Sequence, residues 1–244
     1  MSSTLGPEVL FHVSSFNVTN TFIVTLLVDF LLLFLVYKAT RKMSLYPGRL
    51  QNIMETVVET FYSFTEQIAG ERAKSIFPWF ITFFIFIFAS NLAGLLPGFG
   101  TIGITEGGHK LVPLFRASTS DFNTTFALAV VSLCATHVLS IRYSGVLHYF
   151  QRFFSFNPIL LFVGMLEIVS ELTKLFSLSF RLFGNIYAGE VVLGTVSSIF
   201  AFLAPVPFLM LEGLVALVQA LVFSILTMVF MSILTTPHLQ GGEH

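Results

Sequence analysis

Apolar residues run through this chain in long stretches, punctuated by charges and turn formers, at 20–37, 77–97, 122–141, 158–203 and 206–235. About 20 apolar residues cross the roughly 30 Å hydrocarbon core of a bilayer, so the first three stretches predict single membrane-spanning helices. At 1.5 Å per residue the fourth reaches about 69 Å and the fifth about 45 Å, and neither stands upright unless it is broken. Tilt, a kink near Gly184 or Gly189, or a course nearly along the membrane plane each meet that constraint. Pro205 and Pro207 mark the turn between the two stretches. Between the first two spans, Leu50, Ile53, Met54, Val57, Val58, Phe61, Phe64 and Ile68 recur at helical spacing. Glu55, Glu59, Glu66 and Glu71 take much of the remaining face. That pattern predicts an amphipathic helix lying on the membrane surface or on a partner subunit.

Composition fixes the class. Of 244 residues 55% are hydrophobic and 10% charged, with 30 phenylalanines, where a soluble domain carries about 25% charged residues. The mean hydropathy of +0.87 describes a chain whose solvent is largely lipid, which excludes an ordinary soluble enzyme. The expected fold is an all-α integral membrane protein with about five membrane helices, the last two long and strongly tilted or near-horizontal, plus the amphipathic surface helix. One membrane domain spans 1–244: an outer-side segment at 1–19, the first span and amphipathic helix at 20–75, a helical hairpin at 77–141 and a long helix pair at 158–235. No repeat of 20–50 residues and no low-complexity linker divides it. Alternating the sides of the loops gathers Lys38, Arg41, Lys42, Arg49, Arg72, Lys74, Arg142 and Arg152 on one side, with Lys110 and Arg116 opposite. The basic side faces the cytoplasm, so the amino terminus lies outside and the carboxyl terminus inside. Met1 to Val13 lack a basic n-region, so no cleavable signal peptide is expected.

Several motifs carry no chemistry. Gly98-Phe99-Gly100-Thr101-Ile102-Gly103 matches the dinucleotide fingerprint by letter but follows a membrane span, without the strand before it or the helix after it that would build such a site. It is expected to be a flexible turn on the outer face. Gly189 to Val196 has phosphate-loop glycine spacing without the Lys-Ser/Thr pair. The six histidines, at 12, 109, 137, 148, 238 and 244, form no metal-binding pattern, and His137 is expected near a helix end. The lone Cys134 excludes an internal disulfide. The sequons at Asn17 and Asn123 lack supporting context. No cofactor, metal or nucleic acid is expected.

The informative residues are charges inside apolar stretches: Glu167, Glu171, Lys174, Arg181 and Glu190 in the fourth, and Glu212 with Gln219 in the fifth. A central charge costs about 2.5–3.5 kcal/mol on insertion scales, so such residues are paired, hydrated or functional. At about 100° per residue, Glu167, Lys174 and Asn185 fall within about 40° of Arg181, and Glu171 about 80° away. Glu190 comes half a turn out of phase, on the opposite flank. Glu212 and Gln219, seven apart, share one face that can meet the fourth helix, where Glu190 and Glu212 could form an aqueous entrance. Glu171 and Lys174, three apart, also fit an internal ion pair, and Gln219 a helix–helix hydrogen bond. Arg181 has no acid three or four residues away and never deprotonates, so its natural partner is a carboxylate on another chain.

The run Ser177-Leu178-Ser179-Phe180-Arg181-Leu182-Phe183-Gly184-Asn185-Ile186-Tyr187-Ala188-Gly189-Glu190 resembles the signature of subunit a of F-type ATP synthases, in its bacterial wording. Asn91-Leu92-Ala93-Gly94-Leu95-Leu96-Pro97, Ser120-Asp121-Phe122-Asn123-Thr124-Thr125 and Gln219-Ala220-Leu221-Val222-Phe223 support it, and the likeness covers the chain from about residue 77. The resemblance implies a non-catalytic, proton-translocating stator subunit of the Fo sector in a bacterial cytoplasmic (inner) membrane. It would pack against a ring of c subunits and join b-type peripheral stalk subunits and the rest of the complex. Arg181 would face the ring carboxylate and block direct proton passage between two offset half-channels. The path would run through Glu167, Glu171, Lys174, Asn185, Glu190, Glu212 and Gln219, with Glu190 on the outer side and Glu167 nearer the cytoplasm. Two departures stand out: Glu212 replaces a histidine of some bacterial members, and Leu175 follows Lys174 where proline is frequent. Glu212 beside another carboxylate would titrate as a coupled pair, and it keeps sodium open as the coupling ion beside the favoured proton. The alternative from another class is a stand-alone secondary transporter or ion channel, in which Arg181 would bind an anionic substrate.

Overall fold

A computed structural model describes residues 9–13, 16–41, 48–96, 103–106, 110–113, 116–147, 149, 158–199 and 205–236. Six long helices carry the architecture: α1 (Asn20–Thr40), α2 (Arg49–Ala69), α3 (Ala73–Gly94), α4 (Phe122–Ser144), α5 (Pro158–Ile199) and α6 (Pro205–Thr235). Local chemistry explains their ends. Thr19 caps α1 by accepting the Phe22 N–H at 3.3 Å, and Asp121 caps α4 by accepting the Asn123 N–H at 3.0 Å. Gly145 closes α4 at φ +79°, a conformation that an L side chain resists. Gly70, at φ +55°, ends α2 and opens a single 3-10 turn, Gly70–Arg72, that leads into α3. Pro205 opens α6 and Pro207 lies in its first turn, where a missing N–H costs nothing. These prolines therefore begin the last helix, and the expected turn before them falls on residues 200–204, outside those described.

The apolar pattern places its helices well, with three differences. First, the fourth stretch folds as 42 continuous helical residues, without a break at Gly184 or Gly189. Second, α1, the helical run 51–94, α4 and α6 are the four described helices long and apolar enough to cross a membrane. α5 has the length, but it carries five charged residues and is not among them. Third, two short antiparallel hairpins join the all-helical plan, β1 (Val9–Val13) with β2 (Phe16–Thr19) and β3 (Gly103–Glu106) with β4 (Lys110–Pro113). Gly103, the last residue of the fingerprint-like run, opens β3, so a strand follows that run instead of a helix. The expected flexible turn before it lies outside the described residues, as do Lys42, His109, His148, Arg152, His238 and His244.

The core sits between α3 and α6. Ile76, Phe80 and Ile87 of α3 are fully buried; Ile87 packs with Ala129 of α4, Leu178 and Leu182 of α5 and Phe223 of α6, and Ile76 and Phe80 pack with Leu139 of α4 and Met228 and Met231 of α6. Lipid removes most of the hydrophobic drive between helices, so close packing and polar cross-links must hold them. Small hydroxyl residues supply such links: Ser132 bonds Thr227 at 2.8 Å, and Ser140 donates to the Leu234 carbonyl at 2.9 Å. α2 uses part of its apolar face within the chain, where the Phe61 ring lies 4.7 Å from Phe84 and 5.5 Å from Phe80. Ile53 and Val58 on the same helix stay exposed, as do Phe30 and Leu33 on the peripheral α1.

Candidate functional site

The charged residues of the long helix pair divide into two environments. On one flank of α5, Arg181 is exposed and donates to Ser177 Oγ one turn earlier at 3.2 Å. It lines an open groove of about 450 Å³ with Lys174, Ser170 and Thr173 of α5 and with Leu226 and Phe230 of α6. Among the described residues Arg181 has no carboxylate partner. That is an unusual state for a guanidinium on a membrane helix.

Lys174 borders the same groove but turns its ammonium inward. It donates to Glu171 Oε1 at 2.7 Å and sits 4.6 Å from the centre of the Phe230 ring. The internal ion pair allowed by the three-residue spacing is thus present, and Glu171 is buried at 8% side-chain exposure. Its second oxygen, Oε2, has no hydrogen-bond partner among the described residues and lies 3.9 Å from His137 Nε2 of α4. Glu167, one turn earlier, is half-buried. Asn185, one turn beyond Arg181, donates to Gln219 Oε1 at 2.7 Å, so the expected α5–α6 contact exists and joins two residues of the predicted path.

The opposite flank holds Glu190, as the helical phase requires. Its Oε2 meets the Arg116 guanidinium at 3.4 Å, and Arg116, 7% exposed, is held from below by Ser120 Oγ at 3.0 Å. Glu212 packs against the same turn of α5: a Cβ added at Gly189 would lie 2.6 Å from Glu212 Oε1, so only glycine leaves room for this carboxylate. Buried polar residues stand behind Arg116 and Glu190. Thr21 donates to Asp121 Oδ2 at 3.3 Å, Thr25 and Ser118 share a bond of 2.6 Å, and Thr119 bonds Asn91. They tie α1, α3 and α4 together at the end where Arg116 enters. Among the described residues no group of three or more His, Cys, Asp or Glu could hold a metal.

The chain as a whole is similar to known proteins. The family model for the ATP synthase A chain matches residues 20–232. The chain belongs to the ATP synthase A chain family. It is similar to ATP synthase subunit a of Moorella thermoacetica, 32% identical over 93% of this chain and 95% of the relative. Subunit a 1 of Hahella chejuensis is 34% identical over 95% and 91%, and subunit a of Trichlorobacter lovleyi 35% identical over 91% and 89%. The chain is an all-α, multi-pass membrane protein.

The geometry adds residues that sequence reasoning passed over. Arg116 was visible only as an outer-side basic residue, and nothing in linear spacing joins it to Glu190, 74 positions away. His137 is not near a helix end: it sits two turns inside α4, beside Glu171. Asp29, at the middle of α1, was hidden in an otherwise apolar run, although a lone acid in such a run is itself a signal.

Proposed function

We propose that this chain is the proton-translocating subunit of the Fo membrane sector of an F-type ATP synthase, working in complex with the other subunits. In this reading Arg181 faces the carboxylate of a ring of c subunits in a bacterial cytoplasmic membrane, and b-type peripheral stalk subunits hold the chain still. A carboxyl group facing lipid keeps its proton, because desolvation disfavours the charged form; beside a guanidinium the ion is favoured and the proton leaves. Guanidinium stays charged at physiological pH, so no proton hops across it from one half-channel to the other. Flux then requires rotation, and each proton carried across 100 mV delivers about 2.3 kcal/mol.

Glu190, Glu212 and Arg116 form the outer entrance, with Asn185 and Gln219 between it and the ring. Glu171, Lys174 and Glu167 line the cytoplasmic side. At 1.5 Å per residue α5 is about 63 Å long and α6 about 46 Å, so both run strongly tilted within a core of about 30 Å. The excess of basic residues on one side sets the amino terminus outside and the carboxyl terminus in the cytoplasm. Family membership disfavours a stand-alone transporter.

The observation that carries the reading is a solvent- and groove-facing Arg181 with no carboxylate of its own chain among the described residues. Arg181→Ala, assembled into the whole complex, is expected to abolish ATP-driven proton pumping in inverted membrane vesicles while the chain still inserts. Normal coupled pumping by that variant refutes the assignment.

A further inference from the structure

We propose that His137 and Tyr149 form a proton relay that continues the path from Glu171 to the cytoplasmic surface. This rests on the proton-translocating reading above and extends it to two residues outside α5 and α6. Glu171 Oε1 is occupied by Lys174 Nζ at 2.7 Å, while the buried Oε2 has no hydrogen-bond partner among the described residues. His137 Nε2 lies 3.9 Å from that oxygen, a gap that one water or a small side-chain rotation closes. On the other side of the ring, His137 Nδ1 bonds the Tyr149 hydroxyl at 2.9 Å. Tyr149 follows the Gly145 stop of α4, at the end of the bundle that carries Arg142. Lys174 lines both the Arg181 groove and the small cavity it shares with Glu171, Ser132, Thr136 and Phe230. A line of titratable groups therefore leads from the groove through the interior to the end of α4.

The charges around the imidazole suit that task. Among the described residues, it faces Glu171 of α5, with Lys174 behind, and Tyr149 of the segment after α4, while α6 brings Phe230 to the adjoining cavity. Imidazole has an unperturbed pKa of about 6.5, so it both takes and releases a proton near neutrality. In the step itself the O–H bond of protonated Glu171 breaks and an N–H bond forms at Nε2. Nδ1 then gives its proton to the Tyr149 oxygen as the phenolic proton passes to water. Rotation of the ring, or exchange with water, restores the starting tautomer, and Glu171 is left as the carboxylate paired with Lys174.

The test is His137→Asn in the assembled complex, because Asn can keep the contact to Tyr149 from the Nδ1 position but cannot carry a proton. In inverted vesicles over a cytoplasmic pH series, the rate of ATP-driven pumping is expected to fall by about 10²-fold, the low end of what a positioned proton-transfer group contributes. The part of the pH profile set by a group titrating near neutrality should vanish, and added imidazole should restore part of the rate. A wild-type rate and profile overturns the relay, as does a loss that imidazole does not restore and that leaves the profile's shape unchanged. If His137→Asn does not assemble, Tyr149→Phe decides in the same assay, since it removes the hydroxyl and little volume. An unchanged profile in Tyr149→Phe then overturns the relay. Arg181→Ala run alongside separates the two readings: lost pumping there with indifference at His137 removes the relay alone, whereas normal pumping there removes the parent assignment.

Discussion

Gly189→Ala is a small substitution whose effect depends on where Glu212 lies. The new Cβ would meet Glu212 Oε1 at 2.6 Å and its Cδ at 3.0 Å, against the 3.4 Å and above of ordinary contact. The obstructing atoms are the far end of a flexible side chain, so the carboxylate retreats and the backbone stays. Turning that side chain away from its preferred rotamer costs about 0.5–1.5 kcal/mol. Replacing glycine by alanine inside a helix returns about 0.8–1.0 kcal/mol. The two nearly cancel, so the folded chain should survive with little change in stability. The proton path does not share that compensation. A misplacement of about 1 Å in a positioned reacting group can cost about 10²-fold in rate, and Glu212 must move by a good fraction of that.

The assay pairs two measurements on the purified or vesicle-bound complex: thermal stability, and the rate of ATP-driven acidification. Gly194→Ala serves as the control, because a Cβ there meets nothing within 4 Å. Gly189→Ala should keep its melting temperature and lose most of its pumping, while Gly194→Ala keeps both. Shortening the carboxylate by one methylene, in the double variant Gly189→Ala with Glu212→Asp, should recover part of the rate. Equal pumping by the two alanine variants would sink the reasoning, because it would mean that the position of the Glu212 carboxylate does not control entry.

Other outcomes follow from the same geometry. Glu190→Gln and Arg116→Ala should both slow proton entry, and the two losses should be far from additive, since each removes one half of the same 3.4 Å pair; additive losses over a pH series would count against a shared entrance. Gln219→Leu breaks the 2.7 Å bond from Asn185, with an expected loss of about 0.6 kcal/mol in stability, the average for such membrane contacts, and slower pumping in the same vesicles. Phe80→Ala opens a hole at a fully buried position. Because lipid removes much of the transfer contribution, the loss should stay below the about 3 kcal/mol at which the soluble-protein range for Phe→Ala begins, and a larger drop in the detergent-purified complex would refute that account of the packing.

How much of this could be read from the chain depended on the reach of each signal. Helical periodicity acts over a few turns, and it located α1 to α6 and put Glu190 half a turn from Arg181, where the structure places its Arg116 contact on a different side from the groove. The pairing of Glu171 with Lys174 is also local, three residues apart, and the spacing itself allows it. Contacts between distant segments leave no such periodicity. Arg116 to Glu190 and His137 to Glu171 depend on which faces of α4, α5 and the preceding turn meet, and a single sequence does not encode that in its spacing. The hairpins were missed for a different reason: at four or five residues per strand they are too short for alternation to stand out from a loop. The continuity of α5 at Gly184 and Gly189 runs against glycine's weak helix propensity. At Gly189 the cause is visible, since the missing side chain is the space that Glu212 fills.

That continuity bears on how leakage is prevented. Arg181 and Glu190 are nine residues apart on one unbroken helix, about 13.5 Å along the axis and half a turn around it. With its side chains such a helix is about 10–12 Å across, and its backbone groups are bonded to one another. Hydrogen-bonded backbone therefore lies between Glu190 and the groove on the other flank. A kink at either glycine would have freed carbonyls and N–H groups there and offered water a foothold. On the proposed reading, the sequence keeps two polar surfaces separate by phase and keeps them insulated by not breaking the helix between them. The Asn185–Gln219 bond then marks a seam, between α5 and α6, by which the entrance can approach the ring-facing side.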